Sequence, residues 1–123
     1  MTSSATVLLV DDSQEIRDLY ALALRFAGFE VLEARDGFDA LRLLDDKRPD
    51  VIVLDLMMPR LNGWETSRRI RAHRGAAGVP IIALTSLDDQ WDLAAEYGWT
   101  EVCTKPTKVE SLIAAIGRVL AQS

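Results

Sequence analysis

The chain has 123 residues, of which 49% are hydrophobic and 27% are charged, and its formal net charge is −5. This size and balance fit one globular domain with its own core and exclude a disordered or fibrous chain. The acidic charge argues against direct nucleic-acid binding, which needs clustered Lys and Arg, and the apolar runs are too short for insertion into a membrane.

The organisation of the chain predicts a single domain over residues 1–123 with no output domain, because the sequence has no linker, repeat or low-complexity segment. The start lacks a secretory-signal pattern and Cys103 is the one cysteine, so we expect a cytoplasmic protein without disulfides. A local cluster of cations is expected to be a solvated helix face. These cations are Arg60, Arg68, Arg69, Arg71 and Arg74, with His73 beside them.

Strand and helix patterns alternate along the chain, which predicts a parallel sheet covered by helices on both faces. Four short aliphatic runs are typical of strands buried on both faces, whereas the run at 29–34 alternates with acidic residues and predicts an edge strand. The five predicted strands cover residues 6–10, 29–34, 51–54, 81–84 and 102–104.

Five predicted helices connect and follow these strands, with boundaries set by capping and breaking residues. The boundaries are Ser13 and Gly28 for the first helix, Asp36 and Arg48 for the second, 64–73 for the third, a short fourth helix ending at Gly98, and Val109 and Leu120 for the fifth. The apolar residues of the fourth segment recur at helical spacing and predict one buried face; they are Leu87, Trp91, Ala94 and Ala95.

Each of the four buried strands ends on residues that can do chemistry. In a parallel sheet the carboxyl ends share one edge, which is where open α/β sheets place their sites. Each residue alone would be an ordinary cap or turn residue, but their coincidence at four strand ends points to a site. They are Asp11 and Asp12 after the first strand, Asp55 after the third, Thr85 after the fourth, and Lys105 with Pro106 after the last.

Three carboxylates in one cleft repel each other unless a cation lies among them. Mg²⁺ prefers one or two carboxylates and shares its shell with water and phosphate, so we expect Asp12 and Asp55 to bind it directly and Asp11 to act through water. The isolated Asp55 suits a nucleophile that attacks phosphorus. Lys105 would supply a mobile charge and Thr85 a hydroxyl donor to the phosphoryl oxygens.

The same residues resemble the receiver domain of two-component response regulators, and the match covers essentially the whole chain. The matching segments are Leu9 to Ser13, Asp36-Gly37 with Ala40, Pro49 to Pro59, Asn62-Gly63, Thr85-Ser86 and Lys105-Pro106. The resemblance implies a chemotaxis-receiver-like single-domain protein with a flavodoxin-like, doubly wound five-stranded parallel sheet in order 2-1-3-4-5 and five helices.

The resemblance also implies a function. Asp55 would accept a phosphoryl group from a histidine kinase or a histidine phosphotransfer protein, and Thr85 and Lys105 would engage that group and change the binding of a downstream protein. Such a chain is a signalling switch rather than a metabolic enzyme, since it catalyses only its own phosphorylation and dephosphorylation. The implied Mg²⁺ ligands are Asp11, Asp12, Asp55 and the backbone carbonyl of Met57.

Four features depart from the family pattern. Val102 stands where family members usually carry a Tyr or Phe whose ring swings inward on phosphorylation. The segment from Thr85 to Lys105 is shorter than usual, which predicts a shortened fourth helix or loop. Trp99 replaces a small residue and is expected to fill core volume, and Thr107 replaces a common Phe. These departures predict that the signal leaves by a nonstandard route.

Three other functions stay open from the sequence. A degenerate receiver would act only as a docking module. A haloacid-dehalogenase-like phosphatase also uses an Asp nucleophile and Mg²⁺, but expects an acid or base two residues later, where this chain has Met57. A flavodoxin-like cofactor binder expects glycine and hydroxyls after the first strand, where this chain is acidic.

Overall fold

Five strands and five α-helices alternate in the computed structural model of the chain, which describes residues 4–87 and 90–122. The strands are β1 (Thr6–Val10), β2 (Glu30–Ala34), β3 (Val51–Asp55), β4 (Ile81–Thr85) and β5 (Glu101–Thr104). The helices are α1 (Gln14–Phe26), α2 (Gly37–Leu44), α3 (Gly63–Ala72), α4 (Ala94–Tyr97) and α5 (Val109–Ala121). Within the described ranges, no helix has the length and apolar character needed to cross a membrane.

All strand pairs are parallel, and the order is β2-β1-β3-β4-β5. The predicted doubly wound, flavodoxin-like sheet with five helices is therefore confirmed. The central strands β3 and β4 are buried along their whole length, whereas β2 lies at an edge and is mostly half-buried or exposed, as its acidic alternation predicts.

Two hydrophobic cores lie on opposite faces of the sheet, because successive strand residues point to opposite sides. On β1, Leu8 and Val10 enter the core under α2, α3 and α4, together with Trp99. Val7 and Leu9 enter the other core, which α1 and α5 cover. The helices thus bring the loops that follow β1, β3, β4 and β5 to one edge of the sheet.

Side-chain caps begin the first three helices; Ser13 and Asp36 stand at the predicted starts, and the third helix begins at Gly63, one residue before its predicted start. Ser13, Asp36 and Asn62 each accept a hydrogen bond from the backbone N–H three residues later, at 3.3, 2.7 and 2.9 Å. At the other end of α4, Gly98 adopts the left-handed φ of 72°, which a glycine accommodates without strain.

The fourth helix is short, as the reduced spacing between Thr85 and Lys105 predicts, but its predicted apolar face is wrong. A 3₁₀ turn (Gln90–Leu93) leads into the four residues of α4, and residues 88 and 89 of the predicted segment lie outside the described residues. Leu87, Trp91 and Ala95 are exposed. The 3₁₀ turn has three residues per turn, so residues four apart no longer share a face.

Trp99 fills the core beside this shortened segment, as predicted. Its side chain is 5% exposed, and its indole N–H donates to the hydroxyl of Ser67 at 2.8 Å. The Trp99 ring stacks on the Tyr97 ring with 5.1 Å between centroids. The Arg68 guanidinium also contacts Tyr97, at 5.1 Å from the centre of its ring. The indole therefore combines a large apolar burial with a satisfied polar atom.

The cluster of cations between Arg60 and Arg74 is only partly the solvated helix face that the sequence predicts. Arg68 and Arg74 are exposed, but Arg71 is half-buried and its guanidinium donates to the carbonyls of Ala77 and Val79. Burial lowers the pKa of the Arg71 side chain. The loop before β4 has carbonyls without strand partners, and Arg71 satisfies two of them, a role that charge patterning does not reveal.

Replacing Trp99 and, as a control, Trp91 tests the role of the shortened segment. Trp99→Ala should lower the free energy of unfolding by about 3–5 kcal/mol, since it empties a packed site and removes the Ser67 contact. Trp91→Ala is the matched control: Trp91 is 56% exposed, and its loss should cost about 0.5 kcal/mol or less. Urea unfolding followed by circular dichroism measures both, and equal losses would contradict the core role of Trp99.

Candidate functional site

Three carboxylates meet at the carboxyl edge of the sheet, as the strand ends predict. Because β1 and β3 are neighbours, with Val10 paired to Leu54, the residues that follow these strands come together. One oxygen from each of Asp11, Asp12 and Asp55 lies within 4.8 Å of the others. Asp11 and Asp55 are buried, and Asp12 is exposed at the mouth of the cluster.

Lys105 brings a positive charge into this cluster from the loop after β5. Its Nζ lies 3.3 Å from Oδ1 of Asp55 and 3.5 Å from Oδ2 of Asp11. The backbone N–H of Lys105 donates to the carbonyl of Thr85 at 2.7 Å, which continues the pairing of β4 and β5 past the strand ends. The following bond, to Pro106, is cis. One ammonium thus contacts two of the three carboxylates.

The charges of the cluster shift the ionisation of its members. Burial and the neighbouring Asp11 raise the pKa of the Asp55 carboxyl, and Lys105 opposes that rise only in part. Burial alone would lower the pKa of Lys105, but the carboxylates of Asp11 and Asp55 outweigh it, so the net shift is upward. Among the residues that the structure describes, three carboxylates face one ammonium in this cluster, and the excess negative charge favours the arrival of a further cation.

The loop after β3 folds back against the strand that carries Asp55. The N–H of Met57 donates to Oδ1 of Asp55 at 3.2 Å, and the N–H of Gly63 donates to the carbonyl of Leu56 at 2.9 Å. A Cβ at Gly63 would lie 2.4 Å from the Leu56 backbone and 2.7 Å from the Asp55 carbonyl oxygen. Only a glycine permits this approach, so Gly63 fixes the path of the loop.

Arg60 fastens the same loop to α2, a contact that the sequence pattern does not reveal. Its backbone has a left-handed φ of 66°, and its guanidinium lies 3.4 Å from Oδ2 of Asp36 and 5.4 Å from the centre of the Phe38 ring. The exposed ion pair contributes little by itself, and the cation–π contact with Phe38 adds to it.

Asp11 is oriented by the backbone around it. Its Oδ1 accepts from the N–H of Ser13 at 2.9 Å, which leaves Oδ2 for Lys105, and its carbonyl accepts from the Arg17 guanidinium at 2.7 Å. Its own N–H donates to the carbonyl of Ala34 at 3.1 Å. These bonds hold the carboxylate against the end of β1, so it has little freedom to avoid its neighbours.

Thr85 reaches the same edge of the sheet and is buried at the end of β4. Its hydroxyl oxygen accepts from the N–H of Leu87 at 3.0 Å. Because a hydroxyl can accept and donate at once, the O–H of Thr85 keeps its capacity to donate. The structure thus places Thr85 at the same edge of the sheet as the carboxylate cluster, with its hydroxyl oxygen bonded to the following loop.

Tyr20 ties the Lys105 loop to α1, a contact that its place among the apolar residues of the helix does not indicate. Its hydroxyl donates to the carbonyl of Thr107 at 2.7 Å. Burial is the main cause that raises the pKa of the phenol. A tyrosine among the apolar residues of a helix does not indicate a hydrogen bond to a residue so distant in sequence.

The donor set fits a small, hard divalent cation. All three groups are carboxylate oxygens, the ligands that Mg²⁺ prefers, and one oxygen of each lies within 4.8 Å of the other two, close enough to surround one ion. Exposed Asp12 leaves room for the several waters that Mg²⁺ retains. Met57 lies beside Asp55, and the role of its carbonyl as a further ligand stays a prediction.

Comparison with known proteins agrees with this geometry. The family model described as "Response regulator receiver domain" matches residues 7–117. Protein PilG of Pseudomonas aeruginosa is 38% identical over 112 residues, which are 89% of this chain and 83% of PilG. The phosphate regulon transcriptional regulatory protein PhoB of the same organism is 37% identical over 96% of this chain, but the match spans only 52% of PhoB.

Solved structures show the same fold. The chemotaxis response regulator CheY4 of Vibrio cholerae superposes with a TM-score of 0.88 and 35% identity, over 94% of this chain and 98% of CheY4. The receiver domain of the sensor histidine kinase PA1611 of Pseudomonas aeruginosa has a TM-score of 0.86 and 31% identity, over 96% of this chain and 98% of that domain. That structure has a magnesium ion coordinated in its active site cleft.

Mg²⁺ should stabilise the fold through these carboxylates. At ten times its dissociation constant, Mg²⁺ should raise the free energy of unfolding of the wild-type chain by about 1.4 kcal/mol, because only the folded state assembles the ligands. Asp12→Asn should lose most of this gain, whereas Asp46→Asn, which changes an exposed carboxylate remote from the cluster, should keep it. Urea unfolding with and without Mg²⁺ measures the gain, and equal gains in the two variants would contradict the assignment.

Proposed function

The chain belongs to the response regulator receiver family, and from that membership we propose that Asp55 is its phosphoacceptor. The observation that carries the proposal is the cluster in which the buried Asp55 carboxylate lies 3.3 Å from Lys105 and beside Asp11 and Asp12. The phosphodonor is a phosphohistidine of a histidine kinase or of a phosphotransfer protein.

The chemistry follows from the charges. An Oδ of Asp55 attacks the phosphorus, the bond from phosphorus to the histidine nitrogen breaks, and its electron pair returns to the imidazole. Bound Mg²⁺ would neutralise charge on the phosphoryl oxygens, with Asp11, Asp12 and Asp55 as its ligands. Lys105 loses one carboxylate partner when Asp55 becomes an acyl phosphate, so its ammonium is available to a phosphoryl oxygen.

Thr85 is proposed to report the reaction. Its hydroxyl proton is available to donate, and a phosphoryl group on Asp55 would present an acceptor with strong negative charge. A hydroxyl that turns toward this acceptor weakens its present bond to the N–H of Leu87. The loop after β4 then responds to phosphorylation, and a change in that surface alters which protein the chain binds.

The proposed role is that of a signalling switch. The reactions at Asp55 are the chain's own phosphorylation and its hydrolysis, not the turnover of a metabolite. A phosphatase of the haloacid dehalogenase type would need an acid or base where the exposed Met57 stands. That residues 1–123 act as a single domain without an attached output domain stays a prediction.

Intact-mass spectrometry with acetyl phosphate tests the phosphoacceptor. The wild-type chain and Asp46→Asn should each gain one phosphoryl group in the presence of Mg²⁺, and Asp55→Asn should gain none, because the amide is a poor nucleophile. Full labelling of Asp55→Asn would show that another residue is the phosphoacceptor. Absence of any adduct in the wild type, together with failure to bind beryllofluoride, would favour a receiver that acts only by docking.

The route of the signal is proposed to differ from that of other receivers. Val102 is buried in β5 and has no ring to swing, so it cannot couple Thr85 to a surface in the usual way. A second connection leaves the site through Lys105, because its loop continues to Thr107, whose carbonyl is bonded to the Tyr20 hydroxyl of α1. A change in the contacts of Lys105 can therefore be transmitted to α1 through the bond between Thr107 and Tyr20.

Backbone amide shifts with and without beryllofluoride and Mg²⁺ test this route. We expect clear shifts in residues 105–108 and in α1 of the wild type. In Tyr20→Phe, which keeps the ring but removes the hydroxyl donor, the α1 shifts should shrink while those near Asp55 remain. Large shifts confined to α4 and β5, as in receivers that swing a ring, would contradict the proposal.

A further inference from the structure

The arginines on and beside α3 form a positive surface on an otherwise acidic chain. Between residues 60 and 74 the sequence has five arginines and one glutamate, with no lysine or aspartate, whereas outside this segment acidic residues outnumber Lys and Arg by two to one. Four exposed arginines of α2, α3 and the loop between β3 and α3 lie near two aromatic rings. We call this surface the basic face; its residues are Arg42, Arg60, Arg68, Arg69, Phe38 and Tyr97.

The ion pairs of the basic face have their carboxylates inside and their guanidiniums outside. Arg60 pairs with Asp36, and Arg42 pairs with Asp39. The side chains of Asp36 and Asp39 are 10% and 17% exposed, whereas those of Arg60 and Arg42 are 65% and 73% exposed. A partner that approaches α2 and α3 therefore meets the positive groups of these pairs rather than the negative ones.

Aromatic rings contact three of the guanidiniums. Those of Arg60 and Arg69 lie 5.4 and 5.7 Å from the centre of the exposed Phe38 ring, and that of Arg68 lies 5.1 Å from the centre of the Tyr97 ring. Within residues 4–87 and 90–122, these are the cation–π contacts of the chain. Such contacts favour a subset of side-chain positions, which reduces the entropy that the arginines lose when a ligand binds.

Most donors of these guanidiniums remain available. Arg69 donates through Nε to Glu65 at 3.2 Å, and Arg68 donates to the Tyr97 hydroxyl at 3.4 Å. Among the described residues, no carboxylate lies within ion-pair distance of Arg68. Each guanidinium has five N–H donors in a planar fork, which matches the two oxygens of a carboxylate. Adjacent arginines thus offer forks on both sides of α3, since one contacts α4 and the other contacts α2.

We propose that the basic face is the docking surface for an acidic segment of another protein. Carboxylates of Asp and Glu in that segment bind Arg60, Arg68 and Arg69, and an apolar side chain packs against Phe38. A nucleic acid or an anionic membrane extends beyond the basic face and meets the acidic remainder of the chain, whereas a short segment covers the basic face alone. The proposal does not depend on phosphorylation of Asp55.

Fluorescence anisotropy with a short labelled peptide of Glu and Asp around a central Leu-Phe pair tests the surface on the unphosphorylated chain. Charge reversal by Arg68→Glu with Arg69→Glu should weaken binding about tenfold or more, because two attractive contacts become repulsive. The matched control is Arg25→Glu with Arg118→Glu, which changes the net charge equally at exposed arginines of α1 and α5.

The control should bind the peptide within about twofold of the wild type at physiological salt, where exposed charges more than about 8 Å apart are largely screened. A wild-type chain that does not bind the peptide would overturn the proposal. Equal losses in the two double variants would also overturn it, because attraction by net charge would then explain the binding.

Substitutions that keep the charge test the part played by the forks and the rings. Arg68→Lys with Arg69→Lys should weaken binding about threefold or more, since an ammonium is a point charge that cannot pair bidentately. Phe38→Ala should weaken it similarly, because it removes the ring that contacts Arg60 and Arg69. Circular dichroism checks that both variants are folded. Unchanged affinity in the lysine variant would contradict recognition by guanidinium forks.

Vesicles and DNA test the assignment to a protein segment. Vesicles that contain phosphatidylserine and a DNA duplex should each bind the wild-type chain more weakly than the acidic peptide does. Tighter binding of either one that is lost in Arg68→Glu with Arg69→Glu would overturn the assignment and give the basic face to a membrane or a nucleic acid.

Discussion

An excess of negative charge at one edge of the sheet is the constraint on which the site depends. Asp11, Asp12 and Asp55 crowd together with one ammonium, that of Lys105, among them. At the effective dielectric of a protein, like charges 4 Å apart cost about 4 kcal/mol. The cost is offset if a divalent cation lies among the carboxylates, which is the role that the proposed function gives to Mg²⁺ at this site.

The parallel sheet makes this crowding unavoidable. The registers of β1, β3 and β4 align their carboxyl ends. The loop after β3 is held both by the buried side chains of Leu56 and Met58 and by specific contacts. Gly63 brings the loop after β3 close to the strand, Arg60 fastens its far side, and Tyr20 holds the loop that carries Lys105. The charged groups therefore cannot separate without breaking the backbone path that presents them.

The sequence predicts most of the secondary structure. The features that it does not predict have identifiable physical causes. Aliphatic runs and caps such as Ser13 indicate the strands and the first three helices, because local periodicity and capping act within a few residues. The exposed face of Leu87 and Trp91 was missed because a 3₁₀ turn breaks the helical period on which the prediction rests.

Contacts between distant residues are the other part that sequence patterns miss. The hydroxyl of Tyr20 and the guanidinium of Arg71 donate to backbone carbonyls that are close only in the folded chain. The identity of neither residue indicates such a partner. Trp99 is an intermediate case: its place after Gly98 and the short spacing to Lys105 indicate a core residue, but the bond to Ser67 depends on how α3 packs. The residues of the candidate site were easier to predict than these contacts, because the carboxyl ends of parallel strands meet at one edge of the sheet whatever the details of packing.

The central claim is that one cluster serves as both metal site and phosphoacceptor, and a crystal structure with Mg²⁺ and beryllofluoride tests it most directly. The account predicts beryllofluoride attached to a carboxylate oxygen of Asp55, Mg²⁺ held by Asp11, Asp12 and Asp55, and both Lys105 and Thr85 within hydrogen-bonding distance of fluorine atoms. Beryllofluoride on another residue, or Mg²⁺ away from these carboxylates, would contradict it.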